Sequence, residues 1–515
     1  MEQPFVEFDR LIKKLGKDTL NYIPAKLIPG SITVLSVAIF TRIFPPAQYG
    51  QYILIFTTTT ILSAILSQWI MQATLRYRVE YIMQKKVNFF NKNIAIILSL
   101  ITILVLIVSM LLYPFRSIFG EYHRFYLISV SIIITQIWFD NLITIFQADL
   151  KSVTFSIYTI LNAVFKFGGA LLIIIFIRRD ISALLMGIIL ANIFFSVPLG
   201  FQLKDKSNPF HSKENISGSV PASERFNSFS KQFFMYGFPM VGWFLGAQLL
   251  NIADRYFLQI FRSSEEVGIY SSNYNLVASA ISFVSAPLLT AAHPLLMNLG
   301  ASISTRKKEA QILITTFSRY FLIISFPILT YVLIFSKELT TIFLGLDYRR
   351  GNLILPIVLF GLLGWNFAMF GHKGLEFREK TRTMFAYVMI CTAAKIILNF
   401  LFIPRYGYMG AAISTLICFY LYPLMVYFGT KSDIRWIIPW VSLTRVLAAS
   451  TILAAAFMIL KMMHLDTIKI LLMSGIIIFP LYFFALLLLK EIKPYEIEFA
   501  KNYLRNNFRR IKGSP

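Results

Sequence analysis

The chain has 515 residues, of which 57% are hydrophobic and 14% are charged, and its net charge is +24. A soluble globular domain has roughly 25% charged residues, so this composition excludes an ordinary soluble domain. In a soluble protein the positive charge would suggest nucleic acid. Here the cations lie mainly between apolar stretches, where they orient a membrane protein, and no nucleic-acid partner is expected.

The N-terminal segment, residues 1–21, carries a short amphipathic pattern. Apolar side chains recur at helical spacing from Phe5 to Leu15, with basic residues between them. Such a pattern is typical of a helix lying on the cytoplasmic surface of a membrane. A frayed, solvated tail is the alternative.

Apolar stretches of about 20 residues recur along the rest of the chain and predict membrane-spanning helices. The runs are continuous rather than alternating, so the predicted fold is all-α and not a β-barrel. We predict fourteen spans, at residues 22–43, 52–75, 93–113, 125–148, 157–177, 181–201, 235–260, 272–297, 317–336, 353–371, 384–403, 407–429, 442–461 and 469–489.

The loops between these spans predict which side of the membrane each one faces. With the N-terminus inside, 33 basic residues fall in inner segments, 12 in outer segments and four within spans. This asymmetry follows the positive-inside rule. We therefore expect a multi-pass protein of a bacterial or archaeal cytoplasmic membrane, with both termini in the cytoplasm.

Two patterns occur twice and indicate an internal duplication. Lys151, Thr154, Tyr158 and Lys166 recur 229 residues later as Lys380, Thr383, Tyr387 and Lys395. Tyr49-Gly50-Gln51-Tyr52 is echoed by Val267-Gly268-Ile269-Tyr270, with the glycines 218 residues apart. The predicted domains are an N-lobe at 22–201, a cytoplasmic linker at 202–231, a C-lobe at 232–429, two further helices at 430–489 and a basic tail at 490–515. Because each lobe has six spans, the two are parallel and related by a pseudo-two-fold axis along the membrane normal.

Lys166 and Lys395 lie near the middle of the fifth and eleventh spans. A lysine at mid-membrane costs about 2.5–3.5 kcal/mol on insertion scales, so each is expected to face a wet cavity or a partner. The functional interpretation is a pair of cations that line a central cleft and attract an anionic cargo. The structural alternative is pairing with a carboxylate, for which Asp140 is the candidate beside Lys166. Asp140 is thus either a coupling group or a counter-ion.

Asp254 and Arg255 lie in the outer part of the seventh span, and Arg42 occupies the matching place in the first copy. Adjacent helical residues point about 100° apart, so Asp254 and Arg255 do not simply neutralise each other. For Arg255 we favour cargo binding at the outer mouth of the cleft. Arg42 is a candidate for cargo binding at the same mouth, and, because it stands at the end of its span, snorkelling to the interface is the alternative that we favour for it. Asp254, like Asp140, is a coupling or counter-ion candidate.

The sequence gives little support to catalysis. It shows no metal-ligand spacing, no phosphate-cradling glycine loop and no nucleophile motif. Cys391 and Cys418 both fall in apolar spans and suggest neither a disulfide framework nor a metal site. We therefore expect no cofactor and no metal, and we expect a carrier rather than an enzyme.

The chain resembles the Wzx-type polysaccharide flippases of the multidrug/oligosaccharidyl-lipid/polysaccharide export superfamily. The segments that carry the resemblance are Gly16-Lys17-Asp18-Thr19, Thr41-Arg42, the Tyr49–Tyr52 pattern, Asp254-Arg255, Glu266-Val267-Gly268-Ile269-Tyr270 and the stretch from Asn399 to Ala412. The resemblance implies two six-helix lobes around a cleft that opens alternately to each side. It also implies a cargo of oligosaccharide linked through diphosphate to a polyprenyl lipid, such as an O-antigen or capsule repeat unit.

Other partners and functions follow from the same interpretation. Membrane lipids, coupling H+ or Na+, and glycan-assembly proteins are the expected partners. The alternatives are an ion-coupled drug or lipid exporter of the same superfamily and, from another class, a membrane-embedded polysaccharide polymerase or glycosyltransferase.

Overall fold

The structure is a computed structural model that describes residues 23–205, 222–300, 303–376, 380–430, 435–463, 465–494 and 496. The predicted amphipathic segment at 1–21 and most of the predicted basic tail lie outside these residues. The described residues form α-helices, short 3-10 segments and turns, with no strand among them. This confirms the all-α prediction.

Six helices form the N-lobe. They are α1 (Pro24–Ile43), α2 (Pro46–Met83), α3 (Val87–Leu112), α4 (Tyr126–Ala148), α5 (Ser152–Phe176) and α6 (Ser182–Asp205). A 3-10 segment, Tyr113–Phe125, joins α3 to α4. Proline occupies the first turn of α1 and of α2, where its missing N–H breaks no helical hydrogen bond.

The C-lobe repeats this arrangement. It comprises α7 (Ala222–Phe261), α8 (Ser264–Gly300), α9 (Ile303–Phe343), α10 (Ile354–Gly371), a short α11 (Lys373–Glu376) and α12 (Thr381–Gly429), followed by α13 (Trp440–Met462) and α14 (Thr467–Leu488). Helix α12 contains the eleventh and twelfth predicted spans, which meet at a kink at Gly407. Each of the fourteen predicted spans therefore coincides with a helix or with half of α12.

The kink at Gly407 explains part of the Asn399–Ala412 stretch. Gly407 has φ +54°, a conformation that L side chains rarely adopt. A Cβ there would also overlap the Glu266 carboxylate, which accepts a hydrogen bond from the Tyr408 amide at 2.8 Å. The turn between the two halves of α12 is thus held against the start of α8.

Among the described residues, ten helical stretches are long and apolar enough to cross a membrane. Two of these, Val87–Ala148 with 62 residues and Arg382–Gly429 with 48, have the length of two crossings each. Helices α13 and α14 pack on each other and on α9. The tail that follows α14 is fastened to α9, because Arg319 pairs with Glu491 at 2.6 Å and with Glu496 at 2.7 Å.

The linker predicted at 202–231 is helical at both ends. Helix α6 continues to Asp205, and α7 begins at Ala222. The start of α7 is stabilised by an aromatic cluster, in which Phe229 and Phe233 pack against Tyr81 and Phe90. The polar residues of this stretch obscured the helix in the sequence, because its apolar contacts are made with another segment of the chain.

Candidate functional site between the lobes

The two lobes meet along α1, α2, α7 and α8. At one end of this interface, the duplicated glycine pattern brings the backbones of α2 and α8 together. A Cβ on Gly50 would overlap the Ser264 carbonyl, and one on Gly268 would overlap the Pro46 carbonyl. The 218-residue offset of the duplication exchanges these two contacts. The repeated glycines therefore form a reciprocal crossing on the pseudo-two-fold axis, where only small residues allow such an approach.

Further contacts between the lobes close the same end. The Gly345 amide donates to Thr41 Oγ1 at 3.0 Å, and Tyr348 donates its hydroxyl to the Phe44 carbonyl at 2.7 Å. Arg42 is exposed and donates to the Ile342 carbonyl across the interface and to the Ala38 carbonyl. Arg42 thus bonds backbone of both lobes at the end of its helix.

Arg255 lies on α7 at the interface between the lobes, further from that end than the glycine crossing. Its guanidinium is 3.4 Å from Thr57 Oγ1 of α2, and it lies over the ring of Tyr274 of α8, 5.7 Å from the centroid. Tyr49 is close enough to interact with its charge. Arg255 Nε is buried and has no hydrogen-bond partner in the described part of the chain, where no carboxylate lies within ion-pair distance of the guanidinium. Among the described residues, the groups shown near this cation are the Thr57 hydroxyl, the Tyr274 ring and Tyr49, and none of them is a carboxylate.

Asp254, next to Arg255, belongs to a different environment inside the C-lobe. Its carboxylate pairs with Lys395 Nζ at 2.9 Å, and both side chains are fully buried. The carboxylate also accepts hydrogen bonds from Tyr270 at 2.7 Å, from Asn399 at 2.9 Å and from Thr415 at 3.0 Å. These bonds join α7, α8 and both halves of α12.

Lys395 is correspondingly well satisfied. Its ammonium donates to Thr415 Oγ1 at 2.6 Å and lies 5.3 Å from the centre of the Phe419 ring. In this conformation Lys395 does not line an open cleft, because its side chain has no exposed surface. The arrangement is the carboxylate pairing that the sequence analysis kept as the structural alternative, with Asp254 as the partner.

Lys166 occupies the equivalent place in the N-lobe but is only half-buried. It lies 5.8 Å from the centre of the Phe139 ring on α4 and interacts electrostatically with Asp140. The carboxylate therefore comes from α4 in one lobe and from α7 in the other. The described contacts of each lysine are with its own lobe, so none of them brings the two ammonium groups together.

Sequence reasoning missed the hydroxyl groups around Arg255 and the burial of Arg78. Tyr49 stood in the duplicated pattern and was a readable signal, whereas Thr57 and Tyr274 were not distinguishable from other residues of their helices. Arg78 is buried with Asp149, which it contacts at 2.9 Å, and Lys151 contacts the same carboxylate at 2.9 Å. The recurrence of Lys151 as Lys380 drew attention to Lys151 but did not indicate its partners.

Residues 15–300 match the family model described as polysaccharide biosynthesis protein. The chain belongs to this family. One relative is an uncharacterized membrane protein of Methanocaldococcus jannaschii, which is 21% identical to this chain. The match covers 95% of this chain and 97% of the relative.

Several solved structures have a similar fold. The lipid II flippase MurJ in an inward closed conformation has a TM-score of 0.71 at 14% identity, over 90% of this chain and 96% of that one. The Vibrio cholerae MATE transporter VcmN gives 0.57 at 14% identity, over 83% and 99%. A MOP superfamily transporter from Pyrococcus furiosus gives 0.56 at 14%, over 82% and 96%. These likenesses show that the chain shares the fold of these transporters.

Proposed function

We propose that this protein is a flippase that moves a polyprenyl-diphosphate-linked oligosaccharide across the cytoplasmic membrane by alternating access, without making or breaking a bond. Arg255 is the observation that supports this most directly. It is a cation at the interface of the two lobes, with a buried donor that has no partner in the described chain. Such a donor is costly unless a ligand completes it.

A diphosphate is the ligand chemistry that suits this arrangement. The guanidinium is planar, permanently charged and able to donate two parallel hydrogen bonds to phosphate oxygens. Thr57 accepts from the guanidinium and the Tyr274 ring lies beneath it, so both help to hold it between the lobes. A cationic and hydroxylated passage lowers the cost of carrying phosphate and sugar through hydrocarbon, where each unpaired polar group costs several kcal/mol.

The other predicted residues take different roles in this proposal. Lys166, half-buried beside Asp140, is a second cargo cation with Asp140 as its counter-ion or as a proton-coupling group. Lys395 and Asp254 hold the C-lobe together, and Arg42 acts at the closed end. The bias in basic residues puts that end outside, so the closed crossing faces away from the cytoplasm and the cargo is loaded from the cytoplasmic side. Coupling to H+ or Na+, or consumption of the product outside, supplies the driving force.

The test is the movement of a fluorescent polyprenyl-diphosphate sugar across proteoliposomes that contain the full chain. Arg255→Gln is expected to weaken cargo binding by about 10- to 150-fold, since a hydrogen bond to a charged group contributes about 1.5–3 kcal/mol. Arg255→Lys keeps the charge but loses the two parallel N–H donors of the guanidinium, so its cargo affinity should lie between those of the parent and Arg255→Gln. Lys231→Gln removes an exposed charge from the same helix and should transport like the parent.

Three results contradict the proposal. A changed product mass would identify a polymerase or transferase. Transport of cationic drugs in place of the diphosphate would identify an exporter. Equal transport by Arg255→Gln and Lys231→Gln would remove Arg255 from the cargo path.

A further inference from the structure

A large apolar groove lies at the surface of the N-lobe, beside the line where α2 meets α7. Its volume is about 650 Å³. One face of α2 forms its floor from Leu54 to Leu66, a length of about 18 Å at 1.5 Å per helical residue. The α3 side is formed by Leu104, Val105, Val108, Ser109 and Leu112. The shape is therefore an elongated channel parallel to the helices.

The chemistry of the wall selects a hydrocarbon. None of the residues that line the groove is charged. Its serine and threonine hydroxyls donate to the backbone: Thr58 to the Leu54 carbonyl, Thr59 to Phe56, Ser109 to Leu106 and Ser129 to Phe125, at 2.7–3.0 Å. The groove thus offers apolar surface and few free donors, and burial of hydrocarbon yields about 0.8 kcal/mol per CH2.

The groove adjoins the candidate diphosphate site through one pair of side chains. Thr58 of α2 and Tyr256 of α7 both line the groove and share a hydrogen bond of 2.8 Å. Their immediate neighbours in sequence, Thr57 and Arg255, meet on the side that faces α8. Adjacent helical residues point about 100° apart, so the Thr58–Tyr256 pair stands between the groove and the guanidinium.

We propose that this groove binds the hydrocarbon chain of the lipid-linked cargo while the diphosphate is at Arg255. The proposal rests on the proposed function and adds the location of the lipid chain. A diphosphate and its lipid are covalently joined, so the start of the lipid chain lies beside a headgroup held between the lobes. The groove is one side chain away from that point, and parting of the Thr58–Tyr256 hydrogen bond would let the chain pass between α2 and α7.

Two adjacent positions on α3 provide a matched pair of variants. Val108 lines the groove and is 44% exposed, whereas Ile107 is 53% exposed and does not line it. Val108→Trp should fill the groove, and Ile107→Trp should add the same indole to the surface beside it. The full chain is placed in phospholipid nanodiscs, so that ordinary acyl chains compete throughout. The probes are a long-chain polyprenyl-diphosphate sugar with a photoactivatable group on its chain and a short-chain, water-soluble sugar diphosphate.

The expected result is about tenfold weaker binding of the long-chain probe to Val108→Trp, equivalent to about 1.4 kcal/mol. Binding to Ile107→Trp and binding of the short-chain probe should be unchanged. In the unaltered protein the photoadducts should map to the groove faces of α2 and α3. Adducts on α13 and α14 instead, or equal long-chain binding by both variants, would overturn the groove site while leaving short-chain binding at Arg255 intact. Failure of the unaltered protein to bind either probe would overturn the proposed function itself.

Discussion

Replacing Lys395, which pairs with Asp254, tests whether this lysine stabilises the fold or binds cargo. Lys395→Met removes the ammonium and leaves a carboxylate with no exposed surface. Breaking a buried pair in this way costs about 3–5 kcal/mol, because the remaining charge is uncompensated. The carboxylate keeps hydrogen bonds from Tyr270, Asn399 and Thr415, so we expect about 3 kcal/mol, the lower end of that range.

The measurement is the free energy of unfolding in mixed detergent micelles, for Lys395→Met, Asp254→Asn and the double variant. The double variant should recover most of the loss, since replacing both members of a buried pair is often close to neutral. Lys469→Met is the control, because its pair with Asp466 at 3.2 Å is exposed and such pairs contribute about 0–1 kcal/mol. A Lys395→Met protein as stable as the parent would refute the structural role. A double variant that is stable but binds no cargo would return the pair to the cargo path.

Two other parts of the structure give further predictions. Gly50→Leu or Gly268→Leu should prevent the α2–α8 crossing and lengthen the distance between spin labels placed on the two lobes at that end. Gly168→Leu is the control and should leave the distance unchanged, since nothing lies within 4 Å of its Cβ position. Unchanged distances in all three variants would refute the crossing. Burial raises the pKa of Glu496, but hydrogen bonds from Arg319, the Lys493 amide and Tyr320 outweigh it and hold that pKa below its usual 4.5. A depressed carboxyl pKa stabilises the folded state above the unfolded value and loses that contribution as pH falls through the folded one. Hydrogen exchange of residues 490–494 should therefore increase only below about pH 4.5, and early exchange at neutral pH would contradict the attachment of the tail.

Much of the fold was readable because membrane helices obey a strong constraint. In hydrocarbon, every backbone polar group must be satisfied within the helix, so apolar runs of sufficient length mark the spans. All fourteen predicted spans coincide with helical segments. The extensions at the polar ends, as at Asp205 and Ala222, were not readable. The early part of α7 is stabilised by ring contacts of Phe229 and Phe233 with Tyr81 and Phe90, which are distant in sequence.

The site was predicted less completely, for a geometric reason. An intramembrane lysine indicates either a wet cavity or a charged partner beside it, but the sequence does not distinguish the two. Lys166 and Lys395 recur at one spacing, yet they use carboxylates from different helices, Asp140 and Asp254, because no acidic residue recurs with them. The duplicated glycines were visible as a pattern. Their function as a reciprocal contact required the three-dimensional arrangement of the two copies.

The account depends most on whether the protein moves an intact lipid-linked diphosphate. Proteoliposomes with the full chain, loaded on one side with a labelled polyprenyl-diphosphate sugar, test this directly. Faster crossing than in protein-free vesicles, with unchanged mass and with loss of the acceleration in Arg255→Gln, is the predicted result. Crossing at the protein-free rate, or recovery of a product of altered mass, would contradict it.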